Sequence, residues 1–375
     1  MRIAIDAHSV GTGLGGNESY ATNLIEALAE IDSINQYTIY VTKPSARSRF
    51  ENRWPNFSVR STLPHTPLIR IPLTLSRELR RRPVDVLHVQ FTSPPLAPCP
   101  VVVSVHDLSF EHLPQTFKRR SRMQLRMTAR RSARLAAQVL TLSEYVRRDV
   151  IQTYGIQPEK ITAIPIAAAD HFSRVDDRGE LQRIRQKYGI EGEYVLSVGA
   201  IQPRKNLPRL LEAYSFLRRS RPDVKLPELI LVGKAAWLYD ETLRRISELG
   251  LVDSVKLAGY VPEQDLAALY SGAHCFIYPS YFEGFGLPPL EAMKCGAPVI
   301  VGNQTSLPEV VGDAAILVDP FSVDDIAAAI LKVITNSTVR ASLRAAGLAR
   351  AKLFDWKETA RQTLAVYEKA AGQRR

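Results

Sequence analysis

The chain has 375 residues, 45% hydrophobic and 23% charged, with a formal net charge of +11. That length is comfortable for two domains and that composition belongs to a folded globular enzyme, which excludes a disordered, fibrous or collagen-like chain. No apolar run approaches the roughly 20 residues that cross a bilayer, and the excess of cations asks for an anionic partner: a phosphorylated ligand, a membrane surface or a nucleic acid.

The opening MRIAIDAHSV reads as a buried strand running into a polar loop and lacks the basic leader and longer apolar stretch of a signal peptide, so a cytoplasmic protein is expected. The first half then alternates short β-branched runs with amphipathic helical stretches; strands are predicted at 2–6, 37–41, 84–89, 101–105, 138–141 and 161–164. Ser143 stands where a helix N-cap belongs. From Pro165 to Arg178 the rhythm breaks, and a second series follows with strands at 194–198, 229–232, 255–257, 275–278, 298–301 and 315–318. The pattern predicts an α/β chain of two Rossmann-like, doubly wound domains facing a central cleft: an N-terminal acceptor domain at 1–168 and a C-terminal donor domain at 169–354. A helix at 355–375, set off by an interruption at 353–356, is expected to pack back on the first domain. The three cysteines, Cys99, Cys275 and Cys295, have no metal-binding spacing and read as small buried apolar residues of a reducing compartment.

In doubly wound folds ligands sit beyond the carboxyl ends of the strands, so chemistry is sought in those loops. The most informative stretch is YPSYFEGFGLPPLEAMKCGAPV, 278–299. A predicted strand ends at Tyr278; Glu283, Gly284 and Gly286 form a loop; Pro288 and Pro289 suit the first turn of a helix, where a missing N–H is no loss. Backbone amides at such a start make a phosphate site. Glu283 precedes it and Glu291 falls about one turn into the helix, so one carboxylate can face a sugar and the other a ribose. A bare E-x-G-x-G would describe a tight turn with solvated glutamates; the prolines and second glutamate favour the ligand site.

After the strand at 194–198, Gly199 leaves room and Arg204 and Lys205 precede a helix beginning near Asn206. Two cations there oppose the helix dipole, which is accounted for if an anion such as a pyrophosphate lies between them. His106 and Asp107 follow the strand at 101–105; the histidine can hydrogen-bond a sugar hydroxyl or carry a proton, and a capping or structural His-Asp pair gives the same string. The first loop, Gly11-Thr12-Gly13-Leu14-Gly15-Gly16, contains G-x-G-x-x-G, but the second strand runs into Thr42-Lys43 without the acidic residue of a dinucleotide fingerprint. It reads as a flexible loop that lets backbone approach a ligand. There is no phosphate loop of the G-x-x-x-x-G-K type and no Asp-x-Asp, so no metal is expected. The segment 117–134, FKRRSRMQLRMTARRSAR, has many cations, no acids and apolar residues at helical spacing. It fits a helix resting on an anionic membrane or beside a phosphorylated acceptor; the preferred alternative is a solvated basic helix whose apolar face enters the core. Without interleaved aromatic platforms, nucleic acid is not expected.

Together these residues resemble the retaining glycosyltransferase family 4, of GT-B fold, over essentially the whole chain. The resemblance rests chiefly on E-x(7)-E, Glu283 to Glu291, with Tyr278-Pro279-Ser280 before it and Cys295-Gly296-Ala297-Pro298-Val299 after. Gly15-Gly16, Val105-His106-Asp107, Ser143-Glu144, Pro203-Arg204-Lys205-Asn206 and Gly259-Tyr260-Val261 support it. It implies that Arg204 and Lys205 neutralise the donor pyrophosphate without metal. Glu283 would hold the transferred sugar, Glu291 the ribose, and Gly284, Phe285, Gly286 and Leu287 sugar and phosphate. Gly15, Gly16, Gly233 and Val261 would lie along the donor, with Val261 beside the base, and His106 would contact the sugar from the other domain. Many members carry an arginine directly after the glycine equivalent to Gly199; here it is Ala200, so Arg204 is expected to take over. The implied co-substrate is GDP-mannose or a UDP-sugar and the acceptor a saccharide or lipid-linked saccharide, with peripheral membrane contact through 117–134. A sugar-nucleotide epimerase or hydrolase on the same fold, or a non-catalytic nucleotide-sugar binder, are the competing readings.

Overall fold

The computed structural model describes residues 1–13, 15–234 and 239–373; Leu14 of the glycine loop and the last two positions of the 355–375 segment lie outside them. The chain divides into two compact units, Met1–Ile166 with Asp355–Arg375, and Ala167–Phe354, so the first boundary falls two residues before the expected 168.

The first unit is built on β1 (Arg2–Asp6), β2 (Gln36–Val41), β3 (Phe57–Ser61), β4 (Val86–Gln90), β5 (Val101–Val105), β6 (Gln138–Thr141) and β7 (Ile161–Ala163). They form one parallel sheet in the order β3-β2-β1-β4-β5-β6-β7. The strands β4 and β5 are buried along their whole length because helices cover both faces. β3 is the one strand of this sheet that the sequence pattern misses: it is a half-buried edge strand, FSVRS, whose serines and arginine dilute the apolar signal.

The second unit carries β8 (Tyr194–Val198), β9 (Glu228–Val232), β10 (Val255–Gly259), β11 (Cys275–Tyr278), β12 (Val299–Gly302) and β13 (Ile316–Val318), again parallel, in the order β10-β9-β8-β11-β12-β13. In each sheet the winding reverses once, between β1 and β4 and between β8 and β11. Helices diverge at such a point and leave a crevice at the strand ends. The loops after β1, β8 and β11 are the ones the sequence singled out.

Local capping matches the residue types. Ser143 Oγ accepts from Val146 N at 3.2 Å to begin the helix Glu144–Tyr154, and Asp355 starts the last helix, Trp356–Ala371. That last helix belongs to the first unit: Tyr367 OH meets His88 Nδ1 at 2.6 Å and Thr359 Oγ1 donates to Pro165 O at 2.7 Å.

Two expectations need correction. In the basic helix Arg119–Leu135 the core-facing side is Ala129, Ser132 and Ala133, while Met123, Met127 and Leu135 are 60–68% exposed. The small residues let the helix lie close to the sheet with Leu125 packed against the core beside them, so only part of the apolar face enters the core. Cys275 and Cys295 are buried free thiols as expected, but Cys99 is only half-buried.

Candidate functional site

In the second unit, β8 leads through Gly199 into a tight turn, Pro203–Lys205, which Asn206 closes in the left-handed region (φ 59°) before the helix Leu207–Ser220. Asn206 Nδ2 donates to Pro279 O at 3.2 Å and to Pro320 O at 2.5 Å, tying this turn to the loops after β11 and β13. Its neighbour β11 ends at Tyr278, and the next loop reaches Glu283 and the helix Leu287–Lys294, whose N-cap is Gly286. Because β8 and β11 are adjacent, the two loops meet.

Their meeting point is an ion cluster. Glu283 is 6% exposed. Its Oε1 accepts from Lys205 Nζ at 2.6 Å, Ser280 Oγ at 2.6 Å and Tyr278 OH at 3.0 Å, and its Oε2 from Arg204 Nη1 at 2.6 Å. Lys205 also donates to the Tyr278 hydroxyl. Burial pushes the Glu283 carboxyl up, but Arg204, Lys205 and the hydrogen bonds outweigh it and hold it at about 2. The anion that Arg204 and Lys205 required on sequence grounds is therefore first of all a protein carboxylate. Two cations thus share one carboxylate.

The loop at 283–286 is pinned by residues the sequence reading passed over. Glu283 N donates to Thr305 Oγ1 at 2.9 Å, and Ser306 Oγ donates to Glu283 O at 2.9 Å and Phe285 O at 3.0 Å. Gly286 has φ 112°, and a Cβ there would meet Leu307 Cδ2 at 2.7 Å. Gly284 and Phe285 thus lie in a pinned loop, and Leu287 opens the helix.

Glu291 has different company. Its Oε2 accepts from Tyr270 OH at 2.9 Å, and burial raises its carboxyl to about 7 despite that bond. The two glutamates of the E-x(7)-E pattern are therefore electrostatic opposites, one held ionised and the other poised to titrate near neutrality. Gly233, at the end of β9, touches the same floor: a Cβ on it would lie 1.9 Å from Gly199 O. Val261 is buried just before the helix Glu263–Gly272, next to an exposed Tyr260 ring that has Lys234 Nζ 4.6 Å from its centroid.

In the first unit, Gly15 caps the helix Gly16–Ile31 with φ 56°, and Cβ atoms on Gly15 or Gly16 would meet open space. The loop before them is not loose: Glu18 accepts from Gly11 N at 2.7 Å and Gly13 N at 2.6 Å. His106 is 7% exposed, with Nδ1 2.8 Å from Asn17 Oδ1. Asp107 takes Ser109 N and Oγ instead, at 2.9 and 2.6 Å, so the structural His-Asp pairing is not what holds the imidazole. Asn17 and Glu18 stand directly after the double glycine, which is the signal that could have found them. Among the described residues no three His, Cys, Asp or Glu side chains are grouped to hold a metal ion.

Residues 181–350 match the family described as Glycosyl transferases group 1, and residues 14–167 match Glycosyltransferase Family 4. The O-antigen chain mannosyltransferase B of Escherichia coli is 37% identical over 270 residues, 71% of this chain and 70% of that protein. The E. coli serotype-specific mannosyltransferase WbdA is 34% identical over 224 residues, but the match spans 59% of this chain and only 27% of that much longer protein. The fold is shared with Anabaena HepE, solved in complex with UDP and glucose, at a TM-score of 0.76 and 19% identity over 98% of this chain and 99% of that one. The chain belongs to glycosyltransferase family 4 and is a glycosyltransferase of the GT-B fold.

Proposed function

We propose that this enzyme transfers a hexose, mannose before others, from a nucleoside diphosphate sugar to a hydroxyl of a saccharide acceptor, with retention of anomeric configuration and without a divalent metal. The observation that carries the proposal is the cluster of Arg204, Lys205 and Glu283 at the winding reversal of the second sheet, beside a glycine-rich helix start. Two adjacent cations and a helix N-terminus suit a diphosphate leaving group, where negative charge develops in the transition state. The acceptor oxygen attacks the anomeric carbon on the face the diphosphate leaves. The C–O bond to phosphate breaks, its electron pair stays on the phosphate oxygen, and that oxygen takes the hydroxyl proton. No enzyme nucleophile is needed. Glu283, held ionised, accepts from sugar hydroxyls, and Glu291 from the ribose.

The mannosyltransferase names of the relatives support GDP-mannose as donor and a growing polysaccharide or lipid-linked saccharide as acceptor. Exposed Met123, Met127 and Leu135 among the arginines of the helix Arg119–Leu135 support peripheral seating on an anionic lipid surface at the cytoplasmic face.

The test is transfer of labelled sugar from GDP-mannose, UDP-glucose and UDP-galactose to a saccharide acceptor, with and without EDTA. Transfer from one donor in EDTA, lowered about a hundredfold or more in Lys205→Ala with the fold intact by circular dichroism, supports the proposal. Equal transfer by Lys205→Ala, or donor breakdown that ignores acceptor, overturns it.

A further inference from the structure

Four non-glycine residues among those described have positive φ: Asn52, Phe91, Asn206 and Thr305. Asparagine enters the left-handed region readily, but a β-branched residue at φ 59° is a steric outlier that persists only where its surroundings hold it. Thr305 lies in the loop after β12. At the end of that strand a Cβ on Gly302 would meet Ser280 O at 2.4 Å, so the loops after β11 and β12 meet backbone to backbone. The Thr305 hydroxyl bonds in both directions: it donates to Gln304 O at 2.8 Å and accepts from Glu283 N at 2.9 Å. Ser306 Oγ, next in the chain, lies 2.9 and 3.0 Å from the carbonyl oxygens of Glu283 and Phe285.

We propose that Thr305 is a positioning residue, held in the left-handed region so that its hydroxyl fixes the Glu283 backbone and, through it, the carboxylate between Arg204 and Lys205. The first support is the outlier itself. Local strain survives where other contacts over-determine it, and the contact that Thr305 makes across to the neighbouring loop is the Glu283 amide. The second is the division of labour around Glu283. The side-chain partners of its carboxylate, Arg204, Lys205, Tyr278 and Ser280, come from the loop after β8 and from the end of β11 and its loop. These bonds orient the carboxylate; an attachment on the main chain, from a third loop, fixes where it stands. A reacting site needs its groups placed to a fraction of an ångström, which one point of attachment does not give. A glycine at this position would reach the same φ without strain. Threonine adds the hydroxyl, against local stability. The inference rests on the glycosyl-transfer reading only for what the carboxylate does to a sugar, not for how it is held.

The experiment is a double-mutant cycle read by scanning calorimetry at pH 7, with wild type, Thr305→Gly, Glu283→Gln and the double variant. Thr305→Gly loses the hydroxyl but also the strain, so it should melt within about 2 °C of wild type, or above it. The drop in melting temperature caused by Glu283→Gln should shrink to less than half in the Thr305→Gly background. Equal drops in the two backgrounds overturn the proposal, because the carboxylate would then hold its place without Thr305. Transfer is the second readout. Thr305→Gly should lose about tenfold or more in kcat, with its affinity for GDP and UDP unchanged by isothermal titration. Thr305→Ser, which keeps the hydroxyl, should recover the wild-type kcat; a serine variant as slow as the glycine one overturns the role of the hydroxyl. The melting cycle decides how Glu283 is held whether or not a donor is turned over. Coupled melting together with full kcat in Thr305→Gly would support the positioning and sink the reading of Glu283 as the partner of the transferred sugar.

Discussion

Replacing Glu283 with glutamine keeps the shape of the side chain and removes its charge, leaving Arg204 and Lys205 buried beside a neutral amide. The carboxyl is lowered from 4.5 to about 2 in the folded chain. Such a shift corresponds to about 3 kcal/mol of stability at neutral pH, and mutation of one partner in buried ion pairs costs a similar 3–5 kcal/mol. The sign follows from the direction: a depressed carboxyl stabilises the fold above its unfolded value of about 4.5, and that stability disappears as pH falls through about 2. Roughly half of it should remain at pH 3. The cluster lies wholly in the unit Ala167–Phe354, and a domain of that size loses about 2–4 °C of melting temperature per kcal/mol. Scanning calorimetry at pH 7 should therefore place the transition of Glu283→Gln about 6–12 °C below wild type, with a gap that narrows on going to pH 3. A gap under about 2 °C at pH 7, or one as wide at pH 3 as at pH 7, would show that the cations find other company and that the cluster is not the electrostatic centre of this unit.

Glu291 should behave in the opposite sense. Its carboxyl is raised to about 7 by burial, so ionisation between pH 4.5 and 7 weakens the fold, and Glu291→Gln should melt higher than wild type at pH 8 and alike at pH 5. If the ionised form holds the ribose, nucleotide affinity in the wild type should improve as pH rises through 7, and the glutamine variant should bind about tenfold more weakly with no such slope, as isothermal titration would read. Gly233→Ala would drive a methyl into Gly199 O; neither partner is a flexible side-chain end, so a loss of about 2 kcal/mol or more is expected, and unchanged melting would show that β8 and β9 can part locally. Tyr367→Phe removes the partner of buried His88 Nδ1; about 1–3 kcal/mol should be lost, with faster proteolytic removal of the helix Trp356–Ala371.

The strands of both sheets were largely legible because parallel strands buried on both faces leave continuous apolar runs such as Val101–Val105. β3 was not, since an edge strand needs burial on only part of its surface. In the site, sequence singled out Arg204, Lys205 and Glu283 but not that they bind one another. Their ion pairs span 78 and 79 positions and exist because β8 and β11 are neighbours, a property of the winding order rather than of either segment. Thr305 and Ser306, which pin the Glu283 loop, carry no local mark, because polar residues after a strand are ordinary. The dipole conflict at Arg204-Lys205 is met within the chain by the Glu283 carboxylate.

The same device recurs in both units, and this bears on how the enzyme stays folded without substrate. Amides of a glycine loop and paired cations at strand ends are poor neighbours for one another when no ligand is present. In the first unit Glu18 satisfies the amides of Gly11 and Gly13; in the second Glu283 satisfies Arg204 and Lys205. Each carboxylate is a resident anion at a loop beyond a strand's carboxyl end that also presents N–H donors. On the proposed function, a diphosphate arriving at Arg204 and Lys205 would meet cations already oriented by Glu283, and would gain from that orientation while sharing their charge with the glutamate. Such an arrangement exchanges raw affinity for preorganisation, so that more of the available stabilisation can be directed to the leaving group as its charge grows than to the donor in its ground state.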